Sequence, residues 1–69
     1  MRTLRADEIV KTRERLGMTQ DQFCAAFHLK LWTLRNWEQG RSTPSGAAAV
    51  LLWLLTKIPE QILEALKRG

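Results

Sequence analysis

The sequence of 69 residues predicts an all-α fold of five helices in one domain. Apolar residues recur at spacings of three and four along successive segments, which is the period of helices that bury one face. Capping residues, glycines and prolines separate these segments, and no stretch shows the alternation typical of a strand. Because 45% of the residues are hydrophobic and three are tryptophan, even this short chain can form a core.

Residues that start and stop helices delimit the first two elements. The first helix is expected over 6–16 and is ended by Gly17. The second opens with a capping box, in which the hydroxyl of Thr19 accepts a hydrogen bond from the N–H of Gln22 and the Gln22 side chain reaches back. It ends at a turn that contains His28.

Three further helices follow. The third is expected over 30–39 and stops at Gly40, a residue suited to a left-handed C-terminal position. The fourth runs over 45–56 and is capped by Ser45, and the fifth begins with a proline and covers 59–67. The segment 19–39 thus forms a two-helix motif, and the last two helices complete a single domain spanning 1–69.

The apolar faces of these helices predict a common core. Its expected members are Ile9, Leu16, Phe23, Ala26, Phe27, Leu34 and Trp37, with Cys24 as a buried space-filling residue rather than a nucleophile. The fourth helix differs because 47–55 is apolar all round and must be covered on more than one side. We expect the fifth helix and a second copy of the chain to cover it, through the interface candidates Trp53, Leu54, Ile58, Ile62 and Leu66.

One face of the third helix carries side chains suited to reading DNA. Trp32, Arg35, Asn36 and Gln39 are spaced i, i+3, i+4, i+7 and therefore lie on one stripe. Arginine can bond bidentately to guanine and asparagine to adenine, and an apolar ring can pack on a thymine methyl. The stripe predicts a helix that enters the major groove of double-stranded DNA, and the net charge of +4 suits this partner.

The predicted DNA contacts form two sets. The base-contacting set is Leu31, Trp32, Thr33, Arg35 and Asn36. The phosphate-contacting set is Thr19, Gln20, Lys30, Gln39, Arg41, Ser42 and Thr43. Structural alternatives remain for some members: Arg35 pairing on the surface with Glu38 or Gln39, and Gln20 as a solvated residue at the helix start. Leu31 could equally be half-buried core.

Four segments carry a family resemblance: R-E-R-L-G-M-T-Q (13–20), F-C-A-A-F (23–27), T-L-R-N-W-E-Q-G-R (33–41) and P-S-G-A-A (44–48). In these the chain resembles the XRE (lambda-repressor/Cro-type) helix-turn-helix proteins, especially their HigA-like antitoxin branch. The turn residue that is usually glycine in this family is His28 here, and histidine tolerates positive φ better than most residues.

The resemblance implies that the third helix is the recognition helix and that the second lies across the phosphate backbone. It also implies a homodimer on a palindromic operator, usually in the protein's own promoter, and hence a sequence-specific transcriptional repressor. A structural ion pair between Arg13 and Glu38 is implied as well, tying the first helix to the end of the third. The alternative that it implies is an antitoxin that also binds a toxin protein.

Other classes of function find less support in the residues. His28 and Cys24 are the single histidine and cysteine, and no acid is spaced to join them in a triad or metal site, so we expect neither catalysis nor a cofactor. A lone cysteine fits a reducing cytoplasm, in a bacterial or phage-encoded protein. The N-terminus lacks the apolar run of a signal peptide.

Three further functions remain as alternatives. An anti-CRISPR-associated or phage regulator suits the small size, although no residue selects it. A protein-interaction module could use the apolar fourth helix. A membrane-surface module would need a basic polar face, whereas 47–55 carries no charge and is far shorter than the roughly 20 residues that span a bilayer.

Overall fold

The computed structural model describes all 69 residues, which form five helices and no strand. The helices are α1 (Ala6–Arg15), α2 (Gln20–Phe27), α3 (Leu31–Glu38), α4 (Gly46–Lys57) and α5 (Pro59–Arg68). The prediction of an all-α fold is confirmed. The bounds expected for the first, third, fourth and fifth helices differ from these by at most one residue, which is the usual uncertainty at a helix end.

The capping box of α2 is present as predicted. The Gln22 N–H donates to the Thr19 Oγ1 at 3.1 Å, and the Thr19 N–H donates to the Gln22 Oε1 at 2.9 Å. Ser45 occupies the N-cap position of α4 as predicted, but the prediction that its side chain caps the helix was wrong, because it makes no capping hydrogen bond. Gly46, the first residue of α4, has a φ of +59°, so the first turn is irregular and the hydroxyl does not meet the free N–H groups.

The turn between α2 and α3 is made at His28, in the left-handed conformation expected of this position. Its φ is 58° and its ψ is 45°, and the Leu29 N–H that follows donates to the Cys24 carbonyl at 3.0 Å. This is the one residue other than glycine with a positive φ. The turn therefore closes without a glycine and sets the angle between the two helices.

The buried apolar core is formed by side chains from the N-terminal segment and from α1 to α4, and Ile62 and Leu63 of α5 pack against it as partly buried residues. Its nine apolar members are Leu4, Ile9, Phe23, Cys24, Phe27, Leu34, Trp37, Leu52 and Leu55. The rings of Phe23 and Phe27 pack edge to face, with their centroids 4.8 Å apart. Leu16 and Ala26, also expected here, are only partly buried against this cluster. Leu4 was not predicted, because it precedes any periodic pattern.

The packing places α3 on the surface of the domain. It rests against α1 and α2 through Leu34 and Trp37, while α4 packs against α1 and α5. Arg15 of α1 also pairs with Glu60 of α5 at 3.0 Å. Since α1 and α2 support only one side of α3, its opposite side is free to meet a partner.

The fourth helix is covered by the rest of the domain except along one exposed stripe. Leu52 and Leu55 are fully buried, whereas Val50 and Leu54 are 48% and 41% exposed. None of the five helices by itself combines the length and the hydropathy of a membrane-spanning helix. The pair α4 and α5 reaches the required length and composition only jointly, and the two helices bend by 114° where they meet.

Candidate nucleic-acid interface

The free side of α3 presents the predicted stripe of side chains. Trp32 is 66% exposed, and Arg35 and Gln39 are exposed as well. Asn36 is half-buried, since it lies closer to the supporting helices. An exposed aromatic ring of this size offers a large apolar area that a partner can bury.

The neighbours of this stripe differ in their surroundings. Lys30 precedes α3 and is exposed, whereas Leu31 packs against the core cluster and Thr33 is half-buried. Of the two interpretations of Leu31, partial burial is therefore the one that the structure shows. Its contacts with the core fix the first turn of α3, and only its remaining surface could reach a base.

A basic, exposed loop follows α3. Arg41, Ser42 and Thr43 are exposed, and the loop is anchored where Pro44 is buried. The Arg41 N–H donates to the Asn36 carbonyl at 2.9 Å, which ties the start of the loop to the last turn of α3. Cations at Lys30 and Arg41 thus flank both ends of the helix, as phosphate contacts on either side of a groove require.

The ion pair between Arg13 and Glu38 links α1 to the end of α3. The Arg13 Nε donates to the Glu38 Oε2 at 2.8 Å and its Nη2 to the Oε1 at 3.0 Å, while Nη1 donates to the Met18 carbonyl at 3.0 Å. The two side chains are only 16% and 7% exposed. This bidentate geometry fixes the C-terminal end of α3 against the rest of the domain.

The pair also sets the charge of the buried carboxyl. Burial acts to raise the pKa of Glu38, but hydrogen bonds from Arg13 and Gln20, together with the charge of Arg13, outweigh it and lower that pKa below its ordinary 4.5. The same hydrogen bond with Glu38 is the largest cause of the raised pKa of Arg13. Glu38 is therefore ionised at neutral pH and can only accept hydrogen bonds.

Gln20 joins this ion pair to Arg35. Its Nε2 donates to the Glu38 Oε1 at 3.0 Å, and the Arg35 Nε lies 3.5 Å from the Gln20 Oε1 as a donor. The interpretation of Gln20 as a merely solvated residue was wrong, because it is half-buried and bonded to Glu38. The partner of Arg35 is likewise Gln20 rather than Glu38 or Gln39. No local sequence pattern predicts these contacts, since Glu38 and Arg35 lie 18 and 15 residues from Gln20 along the chain.

Thr19 is exposed, but its hydroxyl is engaged in the capping box. The hydroxyl oxygen accepts in that box and the Thr19 N–H donates to Gln22, so the O–H is the group of Thr19 that remains free to donate to a phosphate. Backbone N–H groups in the first turn of a helix favour an anion electrostatically.

The predicted association face is mostly exposed. Leu54, Ile58 and Leu66 are 41%, 41% and 48% exposed, and Val50, which was not predicted, adds a further apolar side chain. Trp53 and Ile62 are half-buried instead. The ring of Trp53 is covered by two cations, Arg2 at 5.6 Å and Lys57 at 4.7 Å from its centroid, a favourable arrangement for an aromatic face.

The reactive side chains of the chain do not form a cluster. Cys24 is 7% exposed between α2 and the core, and burial, followed by the nearby negative charges of Asp21 and Glu38, raises the pKa of its thiol. His28 is exposed in the turn. No group of three or more histidine, cysteine or acidic residues is placed to hold a metal ion.

Comparison with known proteins agrees with this geometry. A family model described as helix-turn-helix matches residues 9–63, which include the two-helix motif and most of the remaining chain. The chain belongs to the helix-turn-helix family. It is similar to Antitoxin HigA-2 of Vibrio cholerae serotype O1, with 46% identity over 56 residues. The match covers 81% of this chain and 54% of that relative, so the chain spans about half the length of the curated relative it matches.

These matches confirm the XRE-type resemblance and its HigA-like branch. In a helix-turn-helix protein the second helix of the motif enters the major groove and the first crosses the backbone. Here those helices are α3 and α2, and the exposed stripe lies on α3. The helix that enters the groove in this family thus corresponds to the helix that carries the exposed stripe in this chain.

Proposed function

We propose that this helix-turn-helix protein is a sequence-specific transcriptional repressor that binds a palindromic operator in its own promoter as a homodimer. The observation that carries the proposal is the free face of α3, where an exposed Trp32 and Arg35 lie between cations at Lys30 and Arg41. Repression follows from occupying the promoter, so the protein acts by binding alone, without catalysis, in the cytoplasm of a bacterium or in a phage-infected cell.

Three side chains of α3 supply sequence choice in this proposal. Arg35 bonds to the O6 and N7 of a guanine, Asn36 to an adenine, and Trp32 packs on a thymine methyl, with Leu31 and Thr33 at the edge of the contact. A good bidentate pair discriminates by about 1–3 kcal/mol against a wrong base. Lys30, Gln39 and the loop 41–43 meet phosphates, which supply affinity and its salt dependence but no sequence choice.

The proposed homodimer forms through α4 and α5. Leu54, Ile58 and Leu66 expose apolar surface that no part of the chain covers, and Val50 extends it by one turn of α4. A twofold axis through this face brings the same residues together from both copies. Two recognition helices related in this way would enter successive major grooves, about 34 Å apart on a palindromic site.

Fluorescence anisotropy on the DNA upstream of the gene tests the proposal. At two salt concentrations, the chain should prefer this duplex over a shuffled one of equal composition, and added salt should weaken both complexes. Arg35→Ala and Asn36→Ala should relax the choice of particular bases, while Lys30→Ala should weaken all sequences alike and flatten the salt slope. Equal affinity for both duplexes at every salt concentration would refute sequence-specific repression.

Sedimentation velocity tests the homodimer separately. A charge introduced by Leu54→Glu should convert a dimer at micromolar concentration into a monomer, because a buried unpaired carboxylate opposes association. Ala25→Glu is the matched control, since Ala25 is exposed on α2, away from the proposed face. A wild-type chain that sediments as a monomer at these concentrations would contradict the dimer.

A second candidate function is that of an antitoxin that also binds a toxin protein. It is favoured by the relative named Antitoxin HigA-2, which is 46% identical over 56 residues. A toxin gene beside this one, and co-purification of its product with the chain when both are expressed, would support the antitoxin. If the product of the neighbouring gene does not bind, the repressor function remains and the antitoxin function is refuted.

A further inference from the structure

We propose that Gln20 is a specificity-determining positioning residue: its amide, oriented by the buried carboxylate of Glu38, holds the guanidinium of Arg35 in the orientation that reads a base. This inference rests on the proposed DNA-binding function and deepens it. It replaces the expectation that the Gln20 side chain grips a phosphate.

The orientation of the Gln20 amide follows from charge. Glu38 is ionised and offers only acceptors, so the group that faces it must be the NH₂ of Gln20 and not its oxygen. The carboxylate cannot turn away, because Arg13 holds both of its oxygens at 2.8 and 3.0 Å. An amide that could be assigned either way in isolation is therefore fixed by its neighbour.

The oxygen of Gln20 consequently faces the free side of the domain. The Arg35 Nε lies 3.5 Å from it, at the long end of a hydrogen bond, in an exposed position where DNA would exclude water and shorten the contact. The outward oxygen repels the oxygen of a phosphate, and only the second N–H of the amide is left to donate to one. The Gln20 oxygen suits a cation, and the cation beside it is Arg35.

Holding the Nε leaves the other end of the guanidinium free. Neither Nη of Arg35 makes a hydrogen bond within the chain, so both can donate together to the O6 and N7 of a guanine. An arginine has many rotamers, and fixing one of them before binding reduces the entropy lost on forming the complex. The chain of contacts from Arg13 through Glu38 and Gln20 thus connects the rigid core of the domain to a base-reading side chain.

The test uses duplexes selected from a random pool by the full-length chain, followed by every single-base-pair change of the selected site. Gln20→Met keeps the length of the side chain but removes its hydrogen bonds, and Gln20→Ala is the second variant. Gln61→Ala is the matched control, because the Gln61 side chain is exposed on α5. Since α5 belongs to the proposed dimer face, sedimentation velocity establishes that this variant keeps the wild-type assembly. Urea unfolding of each variant establishes that it is folded under the binding conditions.

We expect Arg35→Ala to lower discrimination at one guanine position by about 5- to 100-fold. Gln20→Met should lower it at the same position by about 2- to 10-fold, the worth of one hydrogen bond, and leave the other positions and the salt slope unchanged. In the Arg35→Ala background, Gln20→Met should then have no further effect on discrimination, since the two residues act in series.

Three results would overturn the inference while leaving the proposed function in place. The first is an equal loss of affinity for all sequences in Gln20→Met, which would indicate a phosphate contact. The second is an additive effect of the two changes in the double variant. The third is unchanged discrimination in Arg35→Ala. If the wild-type chain selects no site from the pool, the proposed function itself fails, and the inference fails with it.

Discussion

Replacing Arg13 by alanine should remove a large part of the stability of the domain. The change leaves Glu38, whose side chain is 7% exposed, without the partner that holds both of its oxygens, and it also frees the Met18 carbonyl. Loss of one partner of a buried pair costs about 3–5 kcal/mol. A domain of 69 residues has about 3–10 kcal/mol in total, so Arg13→Ala should be partly unfolded at 37 °C.

Arg15→Ala is the matched control for this prediction. Arg15 lies on the same helix and pairs with Glu60 at 3.0 Å, but the two side chains are 53% and 57% exposed, and an exposed pair is worth about 0–1 kcal/mol. Urea titration followed by the fluorescence of the three tryptophans, of which Trp37 is buried, measures both variants. If Arg13→Ala and Arg15→Ala differ by less than about 1 kcal/mol, the ion pair does not hold α3 in the way described.

Other predictions concern single positions. In Glu38→Gln, the fall of the urea midpoint between pH 5 and pH 3 should be smaller than in the wild type. The pKa of Glu38 in the folded state lies below its ordinary 4.5. The stabilisation from its charge is therefore complete above the unfolded-state pKa and is lost as the pH falls through the folded-state pKa. His28→Gly should keep or raise the melting temperature, by up to about 8 °C, because glycine adopts a φ of 58° without strain; a lower value would refute this. Leu4→Ala should cost about 2–4 kcal/mol in thermal unfolding, because Leu4 is only 5% exposed; a cost below about 1 kcal/mol would contradict the placement of Leu4 in the core.

The fold was predictable because its helix boundaries depend on local chemistry. The capping box at Thr19 and the left-handed turn at His28 each involve residues a few positions apart, and both are present. Ser45 shows the limit of this reasoning, since a residue of the preferred type stands in the capping position but makes no hydrogen bond. The irregular turn at Gly46 decides that outcome, and residue preferences do not encode it.

The exposed face of α3 was predictable from helical spacing, but the contacts behind it were not. Periodicity places Trp32 and Arg35 outward, as found. It says nothing of which side chain approaches Arg35, because the bond to Gln20 depends on how α2 and α3 cross. The burial of Leu4 escaped prediction for a similar reason: it depends on where the N-terminal segment lies across the helices, and no repeating pattern marks it.

The burial of Cys24 makes the rate of its chemical modification a measure of how often the motif opens. The thiol is 7% exposed beside the contact of α2 and α3, and its raised pKa lowers its reactivity further. A thiol reagent can therefore react only in the fraction of molecules in which this region has opened, and the observed rate divided by the rate for an unfolded chain gives that fraction. Ligands that clasp α2 and α3 together should slow the labelling in proportion to their occupancy. The labelling rate of this one side chain, which takes no part in recognition, thus reports how often α2 and α3 separate.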